Sequence, residues 1–218
     1  MRNRIYFVGA GCWLCLHSVQ GSVLDQSQPI FNNNVGGYFI GGSSRQKIAQ
    51  VVTPGISGWL TTVAAPVAGL GTLRLEIRGV SAGLPNDTQF ASQNIAGSSL
   101  PSFFSDPTGF RQLNLSVPPL VSAGEPFAIV LSALNPPMGS LTELSGPPGD
   151  PYAGGDAFYD SLPNPPGWIH MGDFGSFDIP FQTYVEPIPE PGVGALVVWS
   201  FLVGALVSAR TRGASQRL

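Results

Sequence analysis

Alternating apolar and polar side chains, broken every few residues by proline or glycine, run through the middle of this 218-residue chain and argue for strands throughout it. The clearest case is Thr72 to Val80, TLRLEIRGV: Leu73, Leu75 and Ile77 share one face, while Arg74, Glu76 and Arg78 share the other, predicted to be solvated. Residues 110 to 117, FRQLNLSV, alternate likewise, with Leu113, Leu115 and Val117 expected inward before Pro118-Pro119 ends the run. Residues 46 to 53, QKIAQVVT, and Trp59 to Val63 read as further strands. Phe127 to Leu131, FAIVL, is apolar without alternation, which predicts a central strand covered on both faces and entered from the turn Ala123-Gly124-Glu125-Pro126. Phe177 to Val185 closes the series, and Pro180 within it predicts a sheet edge or a bulge. The stretches Asn135 to Gly155 and Ser161 to Gly167 are rich in proline and glycine and read as loops. No segment of this region carries a clean helical period, so the fold class is all-β, a single β-sandwich over residues 22–186.

The two ends follow a different pattern. Arg2 and Arg4 precede the apolar stretch Ile5 to Leu16, and small residues follow at Ser18, Gly21 and Ser22, which reads as a secretory signal peptide over residues 1–21, cut between Gly21 and Ser22. Cys12 follows Ala10-Gly11, but Gly9 stands where a lipoprotein site wants leucine. At the other end, Pro189-Glu190-Pro191 leads into Gly192 to Ala209, GVGALVVWSFLVGALVSA, eighteen residues without a charge. As a helix that run would be about 27 Å long, enough to span a bilayer. Arg210 and Arg212 follow it, and basic residues flanking a span stay on the cytoplasmic side, so the sandwich faces outward. Pro187, Pro189 and Pro191 hold the intervening chain extended, a shape suited to a protease cleft.

This order of signal peptide, variable domain, Pro-Glu-Pro, span and arginines resembles the PEP-CTERM sorting signal of bacterial exported proteins, here residues 187–218. The resemblance implies export through the secretion translocon, anchoring by the C-terminal helix, recognition of Pro189, Glu190 and Pro191 by an exosortase-like membrane protease, and retention of the tail by Arg210 and Arg212. The matured protein would then reside at the cell surface or in the extracellular matrix. Beyond the first arginine, Thr211 to Leu218 is longer than the usual basic stub. Leu24-Asp25-Gln26, IAQVVT, TLRLEIRGV, AGEPFAIVL, Tyr152-Ala153-Gly154-Gly155, Trp168 and FQTYV also resemble the jelly-roll "choice-of-anchor" domains joined to such tails. That likeness implies architecture and location only; a structural or adhesive role in the envelope or extracellular matrix is the reading the whole chain favours.

Composition narrows the chemistry. Both cysteines lie in the signal peptide, so thiol catalysis and disulfides are excluded from the mature domain. His170 is its single histidine, which leaves zinc sites short of ligands, and no GxSxG elbow is present. Asp156, Asp160, Asp173 and Asp178 could pair as the carboxylates of a glycosidase, a distant third reading, but spacing in sequence does not bring them together, and the sequence points away from an enzyme, with no catalytic residue and no required cofactor. Arg45, Lys47, Arg74, Arg78 and Arg111 are the basic residues of the sandwich, and none follows until Arg210, while Glu125, Glu143, Asp150, Asp156, Asp160, Asp173, Asp178 and Glu186 stand unopposed. That balance disfavours nucleic acid as a partner. Carboxylates and loop carbonyls between Asp150 and Asp178 offer hard oxygen ligands suited to Ca²⁺, although solvated turn residues are the commoner use of such aspartates. A second reading is a lectin-like module for extracellular polysaccharide, in which Tyr152, Tyr159 and Trp168 stack on sugar faces and Asp156 and Asp160 accept hydroxyl hydrogen bonds. Tryptophan is more often a core residue.

Overall fold

Strands form wherever the alternation predicts them, and in several places where it does not. The computed structural model describes residues 21–30, 38–69, 71–101, 109–134, 140–142, 146–164, 166–175 and 177–188. Within these the chain is all-β. In chain order the strands are β1 (Val23–Gln28), β2 (Tyr38–Ile40), β3 (Lys47–Val52), β4 (Gly58–Ala65), β5 (Val67–Gly69), β6 (Leu73–Ser81) and β7 (Leu84–Ile95). They continue with β8 (Arg111–Asn114), β9 (Leu120–Val121), β10 (Phe127–Ala133), β11 (Ser140–Thr142), β12 (Ala157–Asp160), β13 (Ile169–His170) and β14 (Phe181–Pro187). Two short 3₁₀ turns, Gly97–Ser99 and Met171–Phe174, interrupt them.

Two antiparallel sheets carry the fold. One runs β1-β14-β4-β8, with β9 also pairing β4; the other runs β13-β12-β3-β10-β6-β7. A small third sheet orders β2-β11-β5. The main core unites both large sheets: Leu60 and Val63 of β4 and Phe181 and Val185 of β14 cluster with Ile48, Leu73, Leu75, Ile77, Phe127, Ile129 and Leu131. Each inward position alternates with one on the opposite face, as the pleat requires. FAIVL is the central strand that its unbroken apolarity predicts, since β10 lies between β3 and β6 and all five residues are buried. Its second face belongs to a smaller cluster of Ala49, Val51, Ala128, Val130 and Phe158 on the outside of the six-stranded sheet, against which Val80 and Trp168 pack.

Three local expectations are corrected. Pro180 makes neither an edge nor a bulge within a strand, because β14 begins one residue later and lies between β1 and β4. Val117 does not point inward: β8 ends at Asn114, the alternation carries only Leu113 and Leu115 into the core, and Val117 is 73% exposed. Glu76 is not solvated, being 4% exposed although it stands on the outer face of its sheet. The expected signal peptide, with its cleavage-side Gly21 and Ser22 excepted, lies outside the described residues, and so does the whole run from Pro189 through Arg210 and Arg212 to the terminus. Among the described residues no helix is long and apolar enough to cross a membrane.

The β6–β7 hairpin turns through Ala82 and Gly83, both with positive φ (51° and 79°), between the paired Ser81 and Leu84. Such a two-residue turn matches the strand twist, but the left-handed conformation is costly for alanine. Ala82→Asn is expected to raise stability by about 0.5–1 kcal/mol, measured as an upward shift of the urea midpoint at unchanged slope.

Candidate functional site

Three polar constellations sit on this scaffold. The first is buried. Gln50 is a polar residue on the inward face of β3, between Ile48 and Val52, and is fully buried. Its Nε2 donates to Asp178 Oδ1 (2.9 Å), Val51 O (3.1 Å) and Gly155 O (3.2 Å), while its Oε1 accepts from Ile179 N (2.9 Å). Asp178, also fully buried, accepts a further bond from Tyr152 N at 3.0 Å. Tyr152 Oη in turn meets the backbone of Thr53, accepting from its N–H at 3.1 Å. Gly155 comes so close to β3 that a Cβ there would lie 2.6 Å from the Val51 carbonyl oxygen, and its φ is +148°. The segment thus needs glycine. Together these bonds pin residues 152–156 and 177–179 to the end of β3. Burial pushes the Asp178 carboxyl up to about 6, opposed by the bonds from Gln50 and Tyr152 and assisted by the charges of Asp150 and Asp156. Burial likewise raises Asp25, against donors at Gly55, Gln26 and Ile56 that lower it, and raises the Tyr152 phenol.

The second constellation is the set predicted to hold sugar, and the structure divides it. Tyr152 is 9% exposed, packed edge-on against Phe181 at 5.0 Å within the main core, so its ring offers no face to a ligand. Tyr159 also packs against that core. Trp168 lies on the opposite face of the sheet against Phe158 and its neighbours, half-buried. Asp160 pairs with Lys47 at 3.3 Å. Asp156 Oδ2 faces His170 Nε2 at 3.4 Å, and His170 Nδ1 accepts from Gly172 N at 3.1 Å. With Nδ1 an acceptor, the imidazole proton sits on Nε2 and points at Asp156, so both ring nitrogens are engaged in holding the loop. Phe158 and Phe177 flank the ring, with centroids 5.3 and 5.1 Å away. Alternation explains the division: within β12, Ala157 and Tyr159 face the main core while Phe158 packs on the far side. Among the described residues no group of three or more His, Cys, Asp or Glu gathers as a metal site.

The third constellation is basic and was not anticipated. An open cavity of about 480 Å³ is lined by Gly41, Arg45, Lys47, Arg74, Glu76, Arg78 and Ser132 to Leu134. It gathers four of the five basic residues of the sandwich. Buried Glu76 bridges two of them, Oε1 to Arg74 at 3.0 Å and Oε2 to Arg78 at 2.7 Å. Arg74 also donates to Gln89 at 3.2 Å, while its Nε is buried with no hydrogen-bond partner among the described residues. Arg78 reaches the fully exposed Asp87 at 3.6 Å. Arg45 ends the tight loop closed by the Gly41–Gln46 bridge, has a positive φ of 51°, and forms no ion pair among the described residues. A left-handed arginine costs roughly 1–2 kcal/mol that glycine would avoid.

No protein-family model matches the chain, and no curated protein matches it.

Proposed function

We propose that this chain is an exported bacterial protein whose β-sandwich serves a structural or adhesive role at the cell surface or in the extracellular matrix, after an exosortase-like protease has trimmed its C-terminus. One observation carries the reading. One of the two compact units of the chain runs from Gly21 to Ile188, so its limits fall one residue before the expected signal cut and immediately before Pro189-Glu190-Pro191. Removing both ends would leave every described strand in place. β1 and β14 pair antiparallel, with Val23 opposite Val185, so the N-terminus left by the first cut lies beside the strand that leads to the second. The tether therefore leaves from an interior strand rather than a frayed edge.

Strand order supports the finer, jelly-roll reading of the sandwich. β1, β14, β4 and β8 occupy one sheet and β3, β10, β6 and β7 the other, and the chain changes sheet between β1 and β3, β3 and β4, β4 and β6, β7 and β8, β9 and β10, and β13 and β14. This is the order of two interleaved Greek keys, with β12 and β13 added at one edge.

Replacing Pro189, Glu190 and Pro191 together by alanine in the native cell tests the sorting role. The expected outcome is an unprocessed, membrane-bound form in place of the mature species, read by fractionation and immunoblotting, with the sandwich still folded. Normal trimming and release of the variant would refute it.

A further inference from the structure

We infer that the cavity lined by Arg45, Lys47, Arg74, Arg78 and Ser132 is a binding site for a carboxylate-bearing polysaccharide segment. The proposal is independent of the export route, since it rests only on the sandwich.

Charge is the first ground. Arg45, Lys47, Arg74 and Arg78 line the cavity against one lining carboxylate, Glu76, in a chain whose net charge is −3. Dispersed basic residues would keep an acidic protein soluble; gathering nearly all of a sandwich's cations at one place concentrates potential there. Glu76 does not discharge the site. It is buried beneath two guanidinium groups and holds them in position, while Arg74 Nε lies out of water with no acceptor among the described residues. Glu76 takes both Nε and Nη2 of Arg78, at 3.2 and 2.7 Å, so the planar donor fork left for a carboxylate is that of Arg45, which has no ion pair among the described residues.

Spacing is the second ground, and it suits an extended ligand. The cations stand in two rows. Arg45 and Lys47 belong to β3 and the turn before it, Arg74 and Arg78 to β6, and β10 runs between the two with Ser132 in register opposite Arg74. Two inter-strand spacings separate the rows, roughly 10 Å. An extended polyanion can meet both rows along its length. An elongated chain with one carboxylate on successive sugars can lie across the trough, one charge to each row, with the Ser132 hydroxyl and the Ala133–Leu134 floor beneath it. Nucleic acid carries one phosphate per about 3.4 Å of strand and is held by long basic tracks. Here the basic surface stops at the cavity, and Asp87 and Asp160 stand at its margins, paired with Arg78 and Lys47.

Backbone conformation is the third ground. The loop Gly42 to Arg45 closes on the Gly41–Gln46 pair, with Arg45 N donating to Gly42 O at 3.1 Å, and its last residue is left-handed. Glycine or asparagine is the residue that such a position favours. An arginine kept there, with no ion pair of its own among the described residues, is explained by a use for its guanidinium outside the fold.

The test uses the purified full-length protein in non-ionic detergent and measures binding of size-defined polygalacturonate oligosaccharides by calorimetry at low and high salt. Binding is expected at low salt, weakened at least 10-fold by Arg45→Gly and by Arg45→Gln and reduced by added salt, with little binding of the neutral dextran oligosaccharide. Because glycine relieves the left-handed backbone, Arg45→Gly should keep or raise Tm, so its loss of binding cannot be unfolding. Arg111→Gln, outside the cavity, should bind as the parent does. Absence of polygalacturonate binding overturns the proposal, as do equal losses from Arg111→Gln and Arg45→Gly, unchanged affinity of Arg45→Gly, or tighter binding of a single-stranded oligonucleotide.

Discussion

Gln50→Leu is expected to lower stability by about 3–5 kcal/mol, the cost of stripping partners from a buried charge. Leucine fills nearly the volume of glutamine and suits the apolar neighbours Ile48 and Val52, so burial of the side chain is retained. The loss is polar. Asp178 Oδ1 forfeits its 2.9 Å bond and the Ile179 N–H its acceptor, both in fully buried surroundings. The carbonyls of Val51 and Gly155 lose a donor as well, which frees the segment 152–156 from β3. Equilibrium unfolding in urea checks this. A change below about 0.5 kcal/mol would mean that the node is ornamental, since that is the ordinary scatter of surface substitutions.

The second large effect is a pH dependence carried by Asp178. Its folded carboxyl titrates near 6, above the ordinary value of 3.8, because burial penalises the charge more than its hydrogen bonds reward it. The folded state therefore holds the proton more tightly than the unfolded chain. This contribution to stability is fully present below pH 4 and is lost as pH rises through the folded value, becoming constant above it. A displacement of about two units corresponds to roughly 1–3 kcal/mol between pH 4 and pH 7. Asp178→Asn should abolish that component, leaving a pH profile flatter than the parent's by this amount over the window. At neutral pH the variant gains by removing a buried charge and loses by offering one acceptor oxygen to two donors, Gln50 Nε2 and Tyr152 N. Parallel profiles for parent and variant would show that Asp178 titrates normally.

What the sequence made legible was what side-chain alternation encodes. TLRLEIRGV, FAIVL and IAQVV each form the strand their pattern predicts, because each has at least one face committed to the core. β7 carries no such signal: LPNDTQFASQNI is largely exposed, and the strand exists because β6 provides a full-length antiparallel partner. β1 is hidden for the same reason, its polar VLDQSQ being ordered by pairing with β14. Pairing partners are a property of the fold, and local periodicity does not contain them. The sites follow the same rule. Gln50 was visible in principle, as one polar residue at the parity of Ile48 and Val52 in an apolar strand. The basic cavity was not, since β10 must insert between β3 and β6 before Lys47 and Arg74 become neighbours across one strand. Nor does alternation reveal that an outward Glu76 is covered by the two arginines at its i−2 and i+2 positions. The aromatic residues of the sugar reading divide by that same alternation: Tyr152 and Tyr159 pack with the main core, while Trp168 packs with Phe158 on the far face of the six-stranded sheet.

Export with trimming at both ends is best decided by intact-mass analysis of the protein recovered from its native cells. The expected species starts at or within a few residues of Ser22 and stops within or just after Pro189-Glu190-Pro191, retaining the whole Gly21–Ile188 unit apart from its first residue. A mass equal to that of all 218 residues, recovered from the cytosol, would contradict it.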